Sequence, residues 1–142
     1  MAPLLEGVAW AIGGSVLLHH LGIEPAPNDL DIVVTEAHFA ECITRLQRVA
    51  GAGRRPAGEG LVSTHFQRFD AGPGAAVDVM AGIAARTATG LVRWPFDASR
   101  VRHEDGLPWM FAEDWLVLYR LFNRPARVAQ VASFLALAHF QR

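Results

Sequence analysis

Two aspartates separated by one residue are the part of this sequence best suited to carry chemistry. Asp29 and Asp31 flank Leu30, and the apolar residues 32–34 that follow predict a buried strand. Alternate residues of a strand point to the same face, so the two carboxylates should lie side by side. Adjacent like charges are costly unless a cation holds them, and hard carboxylate oxygens suit Mg²⁺. We therefore predict that Asp29 and Asp31 bind a divalent metal.

A glycine turn lies upstream of this pair. Gly13, Gly14 and Ser15 stand between an apolar strand predicted over residues 8–12 and an apolar helix predicted over residues 15–21. Glycines at the start of a helix allow backbone N–H groups to approach a phosphate closely. A phosphate-binding turn beside metal-binding carboxylates indicates nucleotide chemistry.

A third carboxylate, Asp78, stands within the apolar segment 75–80. A lone carboxylate in a buried strand is uncommon unless it is paired or bound to a metal. We therefore predict that Asp78 joins Asp29 and Asp31. Each feature alone has a simpler interpretation: a strand-to-helix connection, a solvated strand edge, or an exposed residue of an edge strand. Their order and their apolar surroundings favour one common site.

The combination resembles the signature of the nucleotidyltransferase superfamily, which has the polymerase-β-like fold. That signature is Gly-Gly-Ser, then Asp-x-Asp on a strand, then a carboxylate on a later strand. The small bacterial members include minimal nucleotidyltransferases and the toxins of some toxin–antitoxin pairs. The resemblance implies an α/β (α+β) fold with a mixed β-sheet flanked by helices and a C-terminal helical pair. It also implies transfer of NMP from an NTP to an acceptor hydroxyl of RNA, protein or a small molecule.

The resemblance further implies a role for each motif residue. Asp29, Asp31 and Asp78 would be the catalytic residues of a two-metal Mg²⁺ site, with Asp78 binding the ion that activates the acceptor. The residues implied to hold the β- and γ-phosphates of the NTP are Gly13, Gly14 and Ser15.

The C-terminal half departs from the family pattern. Relatives often carry a lysine in a helix that corresponds to residues 112–122, whereas this sequence contains no lysine. Arg120 lies in that zone and is our candidate for the phosphate contact, because arginine is always charged and can bond bidentately. The missing lysine leaves an alternative open: a catalytically inactive binding or regulatory module with the same fold. The absence of an obvious acceptor-binding region favours self-association or a partner protein.

Composition sets outer limits on these interpretations. With 142 residues and a 51% hydrophobic fraction, we expect a single compact domain over residues 1–142. The net charge of −1 argues against binding to duplex DNA. The single Cys42 fits a reducing cytoplasm and a buried thiol. Neither a signal peptide nor a membrane-spanning stretch is expected.

The remaining elements are predicted from periodicity and turn residues. Thr35 is expected to cap a helix over residues 36–50, and residues 82–110 are expected to be irregular with short strand segments. The other predictions are a flexible connection at 51–58, a strand at 61–70, a turn at 71–74, a strand at 75–80 and helices at 112–122 and 125–140.

Overall fold

The structure, a computed structural model, describes residues 3–27, 29–52, 63–70, 72 and 75–140. The α-helices are α1 (Gly14–His20), α2 (Phe39–Leu46), α3 (Ala112–Leu121) and α4 (Pro125–Phe140). The strands are β1 (Trp10–Gly13), β2 (Leu30–Val34), β3 (Gly51–Ala52), β4 (His65–Asp70), β5 (Ala76–Ala81), β6 (Ile83–Thr87), β7 (Gly90–Trp94), β8 (Arg102–Glu104) and β9 (Leu107–Trp109). Short 3₁₀ turns cover Pro3–Leu5 and Glu36–His38.

Within the described residues, seven strands form one mixed sheet in the order β3-β4-β5-β2-β1-β9-β8. The pairs β2–β5 and β1–β9 are parallel, and the other neighbours are antiparallel. Strands β6 and β7 form a separate antiparallel hairpin. Together with the flanking helices, this arrangement confirms the predicted mixed α/β (α+β) class.

The central strands are buried on both faces. Ile32, Val33 and Val34 follow one another along β2, and all three side chains are inaccessible to solvent. Consecutive β-branched residues favour a strand that is covered on both sides. From α3, Trp115 and Leu118 belong to the same core cluster. The core therefore lies directly behind the strands that carry the candidate carboxylates.

The predicted C-terminal helical pair is confirmed. Helix α3 ends at a turn in which Asn123 adopts a left-handed φ of 55°. The N–H of Arg124 then donates to the carbonyl oxygen of Tyr119 at 2.9 Å, as in a Schellman C-cap. Pro125 opens α4, where its missing N–H costs nothing. This compact turn brings Arg124 beside the end of α3.

One prediction about local structure is wrong, and another is incomplete. The helix expected over residues 36–50 is a 3₁₀ turn followed by the shorter α2, and Thr35 forms no side-chain capping bond. The strand segments expected within the otherwise irregular stretch 82–110 are present, and β6 to β9 form two antiparallel pairs there. Asp105 and Gly106 both have positive φ and form the tight β8–β9 turn, so the Asp-Gly pair was the missed signal.

Several sequence predictions fall partly outside the described residues. Within the expected connection 51–58, only residues 51–52 are described, and they form β3. Residues 61, 62, 71, 73 and 74 are likewise not described. Among the helices in the described part of the chain, none is long and apolar enough to cross a membrane.

Candidate functional site

Strand register aligns four residues in one row across the sheet. Gly13 on β1 pairs with Asp31 on β2, Asp31 pairs with Asp78 on β5, and Asp78 pairs with Arg68 on β4. Side chains of residues that pair directly across strands share one face of the sheet. The row therefore brings Asp31 and Asp78 together and adds Arg68, which the sequence analysis did not identify.

The guanidinium of Arg68 joins two of the three predicted carboxylates. Its Nε donates to Oδ1 of Asp78 at 2.6 Å, and its Nη2 donates to Oδ2 of the same carboxylate at 2.7 Å. The Nη2 group also donates to Oδ2 of Asp29 at 3.0 Å. The hydrogen bonds with Asp78 raise the pKa of Arg68, so this side chain remains a cation. Asp29 and Asp78 are thus gathered around one arginine.

Asp31 lies beside this ion-paired group without a salt bridge of its own among the described residues. Burial raises the pKa of Asp31 to about 7, and the negative charges of Asp78 and Asp29 act in the same direction. The positive charges of Arg68 and Arg124 oppose this rise. Three carboxylates facing one guanidinium leave the centre with an excess of negative charge when all are ionised.

The glycine turn packs against these carboxylates. Gly14 has a left-handed φ of 63°, and a Cβ at this position would lie 1.9 Å from Oδ2 of Asp31. A Cβ on Gly13 would lie 2.1 Å from the indole nitrogen of Trp115. The hydroxyl of the buried Ser15 donates to the backbone oxygen of Asp29 at 3.4 Å. All three residues of the predicted phosphate-binding motif are therefore at the site.

Arg120 and Arg124 differ in their relation to the site. Arg120 lies on the exposed face of α3. Arg124 follows the helix end, and its charge acts on both Asp31 and the buried Tyr119. Burial, reinforced by the charge of Asp31, raises the pKa of Tyr119 to about 12, so its hydroxyl stays protonated. Arg124 is thus a second basic residue near the carboxylates, and the role predicted for Arg120 stays a prediction.

The donor set suits a hard divalent cation in chemistry and in charge. Asp29, Asp31 and Asp78 offer carboxylate oxygens, and when all three are ionised the charge left after pairing with Arg68 balances one divalent ion (−3 + 1 = −2). As they stand, however, no three acidic, imidazole or thiol groups of the described chain surround a common point. The guanidinium of Arg68 already bonds carboxylate oxygens of Asp29 and Asp78, two of the residues that would hold the ion.

Comparisons with known proteins bear on the fold. No model of a known protein family matches the chain, and no curated protein matches it. A similar structure is the crystal structure of a candidate nucleotidyltransferase from Thermotoga maritima, with a TM-score of 0.64 and 23% sequence identity. The match covers 99% of this chain and 89% of that chain. The chain therefore has the nucleotidyltransferase fold that its Gly-Gly-Ser and Asp-x-Asp motifs resemble.

Proposed function

We propose that this protein is a nucleotidyltransferase, which transfers NMP from an NTP to an acceptor hydroxyl. The observation that carries the proposal is the row in which Asp31 and Asp78 pair in register on parallel strands. Asp29 joins this row through Arg68, and Gly14 packs against Asp31. Carboxylates on neighbouring strands beside a glycine turn are what metal-assisted phosphoryl chemistry needs.

Each motif residue has a distinct role in this proposal. Asp29, Asp31 and Asp78 would hold Mg²⁺ in a two-metal site, which when bound neutralises charge on the phosphates and activates the acceptor oxygen. Asp78 would receive the proton that the acceptor hydroxyl loses. The residues that would hold the β- and γ-phosphates through their N–H groups are Gly13, Gly14 and Ser15. The missing Cβ atoms at the two glycines let the Trp115 indole and the Asp31 carboxylate pack directly against this turn.

A cation must also replace the family lysine at the phosphates. Arg120 is the candidate from the sequence, and Arg124 is supported by the effect of its charge on Asp31. Either guanidinium could bond a phosphate bidentately. We propose ATP as the nucleotide to test first and an RNA end, a protein side chain or a small molecule as the acceptor. The reduced, buried Cys42 suits a cytoplasmic location.

The second candidate function is a nucleotide-binding or regulatory module that does not catalyse. The pairing of Arg68 with Asp78 and Asp29 favours it, because these carboxylates already have a cationic partner. A centre held in this way could support the fold and bind a nucleotide without performing transfer. Such a module would act through a partner protein or a second copy of the chain.

Transfer of a labelled nucleotide tests the first function against the second. The purified protein is incubated with α-labelled NTPs and Mg²⁺, with tRNA, with total protein or alone, and label in the acceptor is measured. We expect transfer that Asp31→Asn and Asp78→Asn abolish and that Asp70→Asn, an exposed change at the end of β4, leaves intact. Metal-independent nucleotide binding without transfer to any acceptor would support the inactive module instead.

A further inference from the structure

We propose that Arg68 is an internal counter-ion of the carboxylate centre, and that a divalent cation binds there only when its guanidinium moves away from Asp29 and Asp78. This inference rests on the proposed function, since it concerns the metal that such a function requires. It assigns to Arg68 control over metal affinity. Three features support it: the carboxylate oxygens that Arg68 bonds, the net charge of the centre and the exposure of the Arg68 side chain to solvent.

The oxygens engaged by Arg68 are those that a metal would need. Its guanidinium bonds both carboxylate oxygens of Asp78 and Oδ2 of Asp29. The contact with Asp29 passes over β5 and joins β4 to the residue that precedes β2, two strands away in the sheet. The guanidinium therefore lies across the centre. Because the same lone pairs cannot serve a guanidinium and a metal at full strength, the two cations compete.

The excess negative charge of the centre allows a divalent cation to displace Arg68, so the arginine does not simply block the site. One guanidinium stabilises a group of three carboxylates but leaves Asp31 without a salt bridge among the described residues. A divalent cation should therefore bind first to Asp31, the carboxylate of the three that Arg68 does not pair with. Once it is bound there, its repulsion of the guanidinium and its attraction for Asp78 act together to displace Arg68.

Arg68 also has a route by which to leave. Its side chain is 25% exposed, whereas that of Asp78 is only 9% exposed. The arginine can therefore turn towards solvent while the carboxylate stays in the sheet. A long side chain anchored on a strand can make this change without rearrangement of the backbone. In the absence of metal, the positive charge of Arg68 reduces the repulsion among the three carboxylates.

The proposal is tested by titrating the protein with Mn²⁺ in the absence of nucleotide and measuring the bound metal by electron paramagnetic resonance. We compare the wild-type protein, Arg68→Gln and the control Arg93→Gln, which removes an exposed arginine from β7. Arg68→Gln should bind Mn²⁺ at least about tenfold more tightly than the wild type, the low end of what charge-assisted hydrogen bonds contribute. Arg93→Gln should bind like the wild type. Asp31→Asn combined with Arg68→Gln should remove the gain.

The outcomes separate this inference from the proposed function. Equal or weaker binding by Arg68→Gln, with measurable binding by the wild type, overturns the inference and leaves a metal-dependent function intact. No binding by either protein overturns both. If Arg68→Gln does not fold, the wild type decides the matter through the Nε–H resonance of Arg68 during an Mg²⁺ titration. That resonance should shift as its hydrogen bond to Asp78 is lost, and an unchanged resonance at saturating Mg²⁺ overturns the proposal.

Discussion

The contact between Gly14 and Asp31 permits a stability prediction worked from the geometry. Gly14→Ala introduces two costs: a non-glycine residue at a φ of 63°, and a Cβ that lies 1.9 Å from Oδ2 of Asp31. The left-handed backbone costs about 1–2 kcal/mol. Forcing a methyl group into a filled space costs about 1–3 kcal/mol more. We expect Gly14→Ala to lower the free energy of unfolding by about 2–5 kcal/mol in total.

Gly22→Ala is the matched control for the backbone cost. Gly22 has a φ of 81°, but a Cβ there would meet nothing within 4 Å. It should therefore cost only the backbone component of about 1–2 kcal/mol. Both changes restrict the unfolded chain equally, so this effect cancels in their difference. The difference between the two variants isolates the approach of Gly14 to the carboxylate.

Urea denaturation of both variants, alone and in an Asp31→Ala background, provides the measurement. Removing the carboxylate leaves only the approach to Cβ of Asp31 at 3.0 Å, so most of the excess cost of Gly14→Ala should disappear. The reasoning is refuted if Gly14→Ala is no more destabilising than Gly22→Ala. It is also refuted if the excess cost persists unchanged in the Asp31→Ala background.

Three further predictions concern charge and access. Burial raises the pKa of Asp31 from 3.8 to about 7, so between these pH values the folded state binds more protons than the unfolded state. The free energy of unfolding without metal should therefore fall as pH rises from 3.8 to about 7, by at most about 1.4 kcal/mol per pH unit. Asp31→Asn should flatten this pH dependence, and parallel stability curves for the variant and the wild type would contradict the prediction. Arg124→Ala should weaken ATP binding by about tenfold and more than Arg120→Ala does, by isothermal titration, because the charge of Arg124 reaches Asp31; the opposite order would favour Arg120 as the phosphate partner. Cys42 is fully buried and its pKa is raised to about 11, so it should react with a thiol reagent only as fast as the protein unfolds, and rapid reaction in native buffer would contradict the core packing.

The order of motifs was enough to predict the fold and its main acidic residues. Burying an unpaired carboxylate within an apolar strand is energetically costly. The sequence alone shows such a carboxylate at Asp78. The Asp-x-Asp spacing predicted that Asp29 and Asp31 lie side by side on a strand, whereas Asp29 precedes β2 and joins the site through Arg68. The helices α3 and α4 were predictable because they are long and their ends are marked. Within residues 82–110, strand segments were predictable, but their pairing into β6–β7 and β8–β9 was established only by the structure.

Arg68 illustrates what only the tertiary structure decided. A turn at residues 71–74 would pair Asp70 with residue 75 and set Arg68 opposite Val77, on the other face of the sheet from the carboxylates. The actual register pairs Asp70 with Ala76 and Arg68 with Asp78. A slip of one residue exchanges the two faces of a strand, so the register decides whether Arg68 meets the carboxylates. The sequence by itself determined which acids meet, whereas the cation that holds them depended on the register that packing selects.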